Sequence, residues 1–527
     1  MKSIAPVSPM TANQNLFAVL REGFSADIDG TAVETCDTPQ PLFYTWRDLD
    51  SGSARIANLL ATLDLPAGSR VAVHTDKSVE TLMLYLAVLR AGLVYLPLNT
   101  AYQAAELAYF VGNAEPAVVV CARRNFPWIS KLAFAAGVGN VFTLDSDRTG
   151  TLLDRAALMS DLQTPVPRRA DDLAAILYTS GTTGRSKGAM LSHGNLASNA
   201  RTLKSYWGWR SAEEGTDVLI HALPIFHVHG LFVAIHAALL GGSKMLWFER
   251  FDPRATIARM ARATVFMGVP TLYVRMLAEP ALTPATAASM RLFVAGSAPL
   301  LPETFEAWRQ RTGHTIVERY GMSETVMLTS NAYHAKDGER RPGTVGKPLP
   351  GVQLRVHDDK GQPCRTGEIG GIEVKGPNVF AGYWRMPEKT AEEFTTDLWF
   401  KTGDVGKVDE QGVVSIVGRS KDLIISGGYN VYPAEIEGYL NEQPGVAESA
   451  VVGVPHPDFG EGVIAVVVPK PGAAIDVDAL VAAMKATIAV FKVPKRVFVE
   501  PQLPRNAMGK VLKNELRAQH RALFGGA

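Results

Sequence analysis

Residues 69–99, "SRVAVHTDKSVETLMLYLAVLRAGLVYLPLN", constrain the fold more than any other stretch of the chain. Residues 71–74 are a short apolar run. Residues 78–90 then carry apolar side chains at helical spacing, with Ser78 placed to cap a helix and Gly92 to stop it. "LVYLPL" supplies a second apolar run, completing a strand–helix–strand unit. Further apolar runs at 117–122, 218–224, 263–270 and 290–299 are separated by helical stretches. Strands that alternate with helices pair in parallel and carry helices on both faces. The expected class is α/β, and sheets of this kind take ligands beyond the carboxyl ends of their strands.

A chain of 527 residues exceeds what one hydrophobic core serves. Past residue 350 the strands shorten and turns crowd in, as in "DDKGQPCRTGEIG" and "VDEQGVVSIVG", which predicts a β-rich subdomain. After "GRSKD" (418–422) a new α+β unit begins, with helices at "AEIEGYLNE" and "VDALVAAMKATIAV" and strands at "ESAVVGV" and "VIAVVVP". The expected organisation is a large N-terminal domain of mostly parallel α/β sheets with the β-rich subdomain (1–418), a hinge (419–422) and a small mobile α+β domain (423–527). The last has roughly 105 residues, an ordinary domain size.

Composition excludes several functions. A net charge of +1 lacks the footprint of a nucleic-acid binder. Cys36, Cys121 and Cys364 are isolated, so neither a disulfide frame nor a zinc site is expected, and a reducing, cytoplasmic setting is. No apolar run reaches the roughly 18 residues of a membrane span, so no membrane partner is expected. The opening "MKSIAPVSPMTANQN" has no long apolar stretch and reads as a loose tail rather than a signal peptide.

The chemistry concentrates in "YTSGTTGRSKG" (178–188), which follows the apolar run "AAIL". Glycines let backbone N–H groups turn inward, and hydroxyls and two cations surround them, which suits a polyphosphate. The loop is not a Walker A motif, because no glycine immediately precedes Lys187 and Gly188 follows it. Taken alone, a Gly/Ser/Thr loop is as readily a plain surface loop. Four further segments carry candidate polar groups: "RYGMSET" (319–325), "KTGDVG" (401–406), "GRSKDLIISGGYNVYPAEIE" (418–437) and "PRNAMGKVLK" (504–513).

Together and in this order, these segments resemble the signature motifs of the adenylate-forming superfamily, which includes acyl-CoA synthetases, peptide-synthetase adenylation domains and luciferases. The resemblance runs from about residue 15 to 518 and extends to "IHALPIFHVHGLFVA", "GVPTLYVRML" and "GPNVFAGYWRMPEKTA". It implies ATP, Mg²⁺ and CoA as the bound small molecules and a two-step reaction. A carboxylate attacks the α-phosphate of ATP, and a thiol then displaces AMP. Thr179, Ser180, Thr182, Thr183 and Lys187 are implied to hold the β- and γ-phosphates, and Glu324 to bind Mg²⁺. Ser323 stands where the superfamily usually has Thr and keeps the hydroxyl. Asp404 is implied to accept the ribose hydroxyls with Arg419 nearby. Gly296, Ser297 and Ala298, with Glu318 and Tyr320, are implied to form the adenine slot. Lys510 is implied to stabilise charge at the α-phosphate, and Lys421 to mark the hinge. The lysine at position 510 is also an implied target of a lysine acetyltransferase and deacetylase, since acetylation removes its charge.

Arg275 and Arg319 stand at acyl-pocket positions. A guanidinium near a closed site needs an anionic partner. That partner is either an internal acid, such as Glu318 for Arg319, or the distal carboxylate of a short dicarboxylate, helped by Ser297. A short pocket favours malonate, with methylmalonate as a secondary substrate. His227 and His229 in "IFHVHG" lack a third ligand and are expected to line the acyl pocket rather than bind metal. Arg123 and Arg124 in "CARRNFPW" read as a solvated face or as cations for a CoA phosphate. The rivals are another short-chain acyl-CoA synthetase, an enzyme that loads a carrier protein, and a non-catalytic nucleotide-binding homologue. No carrier segment follows residue 518, and Lys510 and Glu324 are both present.

Overall fold

The computed structural model describes residues 13–179, 186–358, 360–427, 429–506 and 509–525. The strand–helix–strand unit forms as Arg70–His74, Val79–Arg90 and Val94–Pro97, with the Ser78 side chain accepting from the Thr81 N–H at the helix start. A six-stranded sheet grows around it in the order Asn140–Thr143, Val118–Cys121, Arg70–His74, Val94–Pro97, Leu173–Thr179, Lys187–Ser192. Every pairing in it is parallel except the last. The segment that holds the phosphate-loop motif thus leaves one strand and returns as its antiparallel neighbour.

All twelve residues of the helix Val79–Arg90 are buried. A helix apolar on every side is covered on every side. The cover comes from a second sheet of nine strands, whose core side chains join the same hydrophobic cluster. Its centre is parallel: Ile316–Tyr320, Leu292–Ala295, Val265–Gly268, Val218–His221, Lys244–Trp247 and Thr31–Thr35. The run at 218–224 forms a strand only as far as His221, and Pro224 cannot donate to a central ladder. Val265–Gly268 likewise ends before Pro270, which opens the helix Pro270–Leu277.

The β-rich part is a four-stranded antiparallel sheet, Gln353–His357, Gly370–Lys375, Phe400–Val408 and Val414–Arg419. Beyond a short turn at Ser420–Asp422 lies a separate sheet built on Val446–His456 and Gly460–Pro469, with the helices Pro433–Asn441 and Val477–Thr487 beside it. Two hydrophobic clusters formed wholly by residues from Ile424 onward serve this part. The fold is α/β with a β-rich subdomain and a small α+β unit. Among the described residues no helix is long and apolar enough to cross a membrane.

Candidate active site

Parallel pairing of Leu292–Ala295 with Ile316–Tyr320 sends residues 296–298 and 319–325 out of the same sheet edge, side by side. The β-rich sheet places Asp404 opposite Arg419, and the six-stranded sheet places Thr179 opposite Lys187. Lys187 begins a strand, so this anion site lacks the helix N-terminus that a Walker A loop uses. Of the remaining loop candidates, Ser180, Thr182 and Thr183 lie outside the described residues.

Asp404 is buried and joins Tyr320 to Arg419. Arg419 Nε lies 2.6 Å from Asp404 Oδ1, and the Tyr320 hydroxyl donates to Asp404 Oδ2. Burial raises the Asp404 carboxyl above its ordinary range. Burial opposes the charge on Arg419, but Asp404, Tyr320, Glu324 and Asp422 together outweigh it and the guanidinium is held more firmly protonated. Ser297 has a left-handed backbone (φ 71°), an uncommon conformation for a residue with a Cβ and the kind of strain that gathers at binding loops. Ala298 beside it is half-buried.

Glu324 is buried and accepts a 3.0 Å bond from the Tyr383 hydroxyl; burial raises its carboxyl. Ser323 sits half-buried in the preceding turn. Lys187 Nζ lies 4.2 Å from the centre of the Tyr383 ring and 3.3 Å from Glu393, and the Thr179 hydroxyl donates to its carbonyl at 3.4 Å. Lys421 is held below the ordinary lysine range, first by burial and then by Lys187. Lys510 is exposed on its loop, yet it faces Asp404 and Arg419. Crowding lowers its ammonium, first by desolvation and then by Arg419. The Lys510 loop abuts the larger domain: a Cβ on Gly509 would lie 3.3 Å from Thr271 Oγ1.

Arg319 occupies the other end. It is 3 % exposed, and its Nε and Nη2 find no hydrogen-bond partner among the described residues. Its guanidinium packs so closely under the nucleotide loop that a Cβ on Gly296 would lie 2.5 Å from Cζ. Burial pushes Arg319 down to about 9. His229 places Nδ1 3.4 Å from Ser297 Oγ, and its backbone N–H donates to His227 Nδ1 at 3.4 Å. Both imidazoles are held neutral, by burial first and by Arg319 second, with His227 near about 4. His229 opens a seven-residue π-helix, His229–Ile235, and His227 lies in the bend before it; neither is on a strand. Among the described residues no group of three acids, histidines or cysteines could hold a metal ion.

Glu318 does not serve as the internal acid for Arg319. Its Oε1 accepts from the Leu300 N–H at 3.0 Å, and burial pushes the carboxyl up to about 8. Arg275 is exposed, on the same face of its helix as Thr271 one turn earlier, whereas Arg319 is buried. Trp207 is buried, its indole N–H on Ser330 Oγ. Arg124 is exposed and paired with Asp76. Two groups that sequence reasoning missed, Tyr383 and Glu393, reach the site from segments 196 and 206 residues beyond Lys187.

A family model described as "AMP-binding enzyme" matches residues 29–384, and one described as "AMP-binding enzyme C-terminal domain" matches residues 435–510. The chain is 35 % identical to an Arabidopsis thaliana malonate–CoA ligase, over 85 % of this chain and 78 % of that one. It is 32 % identical to a Bacillus subtilis long-chain-fatty-acid–CoA ligase, over 96 % and 94 %. The ATP-bound crystal structure of MatB from Rhodopseudomonas palustris is 53 % identical and superposes with a TM-score of 0.93, covering 97 % of this chain and 100 % of that one; the apo form of MatB gives 0.82.

Proposed function

The chain belongs to the AMP-binding enzyme family, and we propose that within it the protein joins malonate to CoA, with ATP cleaved to AMP and pyrophosphate through a malonyl-adenylate. One observation carries the substrate choice. Relatives of similar identity act on acids as different as malonate and long-chain fatty acids, so overall likeness does not decide. Buried Arg319, whose Nε and Nη2 have no hydrogen-bond partner among the described residues, does. A charge left in that position is costly unless the ligand supplies its counter-ion. Gly296, Ser297 and the two neutral histidines lie around it, and we read that setting as one for a short, three-carbon diacid.

The catalytic difficulty is an anion attacking a polyanion. Lys187 with the preceding loop, and Lys510 from the other domain, offset the phosphate charge, and Asp404 with Tyr320 and Arg419 fixes the ribose. Glu324 fits a hard divalent cation that arrives with the nucleotide. It is a single buried carboxylate held in place by Tyr383, and Mg²⁺ typically takes one or two carboxylates together with substrate phosphates. When bound there, Mg²⁺ neutralises charge on the phosphates. We place the hinge between domains at 419–422, supported by the short turn that separates the two sheets. Exposure of Lys510 supports its acetylation and deacetylation as a switch on adenylation. A cytoplasmic location belongs to the same proposal.

The test is pyrophosphate release with Mg-ATP and CoA over malonate, methylmalonate, succinate, acetate and butyrate. Malonate is expected to give the highest kcat/KM, with methylmalonate lower by about 10–200-fold. Acetate or butyrate as the best substrate would overturn the malonate assignment while leaving the family intact.

A further inference from the structure

Glu393 is the last residue of the helix Pro387–Glu393. Nothing local favours an acid there. The carboxyl end of a helix is its negative pole, which prefers a cation. Glu393 also follows Lys389 at i, i+4, the weaker orientation for such a pair. What it meets instead is the phosphate-loop lysine: Glu393 Oε1 lies 3.3 Å from Lys187 Nζ, with both side chains mostly buried. Lys389 Nζ is 3.1 Å from the same oxygen, and the field at Lys421 is shaped by Lys187 and Glu393 together. In the structure, then, Lys187 has a carboxylate on it and the Tyr383 ring beneath it.

A phosphate oxygen that takes Lys187 must share the ammonium with Glu393 or displace it. Two anions within a few ångströms of one cation repel. That repulsion acts on ATP and on pyrophosphate, but not on the acyl-adenylate, which no longer carries the β- and γ-phosphates. Resting on the assignment of 178–188 as the polyphosphate site, we propose that Glu393 is a positioning residue that competes with product pyrophosphate for Lys187 and so hastens its departure. The acid stands in for the phosphate before ATP arrives and reclaims the lysine afterwards.

The experiment compares full-length wild type with Glu393→Gln, Glu393→Asp and Glu392→Gln. Glu392 sits next in the chain, is exposed, and pairs with Lys389 at 2.8 Å, with Lys187 the weakest of the influences on it, so it controls for the change of net charge. Mg-pyrophosphate binding is measured by calorimetry without acid or CoA, and ATP KM and kcat by adenylate formation. Glu393→Gln is expected to bind pyrophosphate about three- to tenfold more tightly and to lower ATP KM similarly, without raising kcat. Glu392→Gln is expected to change either by less than about twofold, and Glu393→Asp to restore wild-type values. A merely structural role for Glu393 would misplace Lys187 and weaken both ligands. Weaker or unchanged pyrophosphate binding in Glu393→Gln overturns the proposal. Failure of pyrophosphate to bind even wild type would instead overturn the polyphosphate site, and the proposal with it.

Discussion

Replacing Arg319 by methionine should make the resting protein more stable and the enzyme far worse on its substrate. The side chain is 3 % exposed with two guanidinium nitrogens unpartnered, and burial has brought it down to about 9. Against an ordinary arginine above 12, that fall corresponds to about 4–5 kcal/mol of lost preference for the charged form. The penalty is carried in full at neutral pH. Methionine fills much of the volume without the charge. Even a third of the penalty recovered would raise the melting temperature of a domain this large by about 1–2 °C in the absence of ligands. Malonate should stabilise wild type but not the variant. If the distal carboxylate is what Arg319 meets, kcat/KM for malonate should fall by about 2–5 kcal/mol of transition-state stabilisation, roughly 30- to 5,000-fold. Activity on acetate should stay level or rise. Scanning calorimetry at neutral pH, with and without malonate, and pyrophosphate release on both acids would measure this. A lower melting temperature together with retained malonate preference would mean that Arg319 is a structural group.

Lys510→Gln should slow adenylation by about 100-fold or more while leaving conversion of pre-formed malonyl-adenylate and CoA to the thioester within about threefold, as single-turnover assays of each half would show. Because Lys510 is held below the ordinary lysine range, the adenylation rate should decline on the alkaline side before an ordinary lysine would titrate. Lys510→Arg should push that decline to higher pH, and a profile identical in the two proteins would remove Lys510 from the rate. Gly230→Ala places a Cβ 2.1 Å from the Pro224 carbonyl oxygen inside the π-helix wall. It should cost about 1–3 kcal/mol, and an unchanged melting temperature would show that this wall yields.

Local pattern made parts of the molecule legible. Ser78, the apolar helix behind it and the next strand are fixed by near neighbours in sequence, and they stand where periodicity puts them. Strand ends were less legible: the apolar runs continue through Pro224 and Pro270, whereas the strands stop at His221 and Gly268. The return of the phosphate segment as an antiparallel strand was not legible, because a glycine-rich loop leads to a helix as readily as to a strand. Tyr383 and Glu393 were invisible for another reason. Each lies about 200 residues from Lys187, and only the packing of the β-rich subdomain against the six-stranded sheet brings them to it.

Arg319 shows how sequence adjacency can mislead about charge. An acid immediately before an arginine invites the inference of a pair. On a strand, however, successive side chains point to opposite faces, so within Ile316–Tyr320 neighbours are the residues least able to meet. Glu318 turns to the Leu300 N–H, and at a value of about 8 it is mostly uncharged at neutral pH. Its hydrogen bond is therefore spent on the Leu300 N–H, and it reaches Arg319 only through the field between them. Arg319 turns to the face where Ser297 and the histidines lie, and those histidines are neutral for the same reason that the arginine is strained: burial disfavours charge there. Among the described residues, then, no acid is hydrogen-bonded to Nε or Nη2 of that cation. Many acyl groups suit a scaffold of this kind, but an uncharged tail would leave that cation buried and unpaired, whereas a second carboxylate completes it. Selectivity for a diacid follows from a deficit in the free protein, which is why the same residue should lower stability and raise specificity.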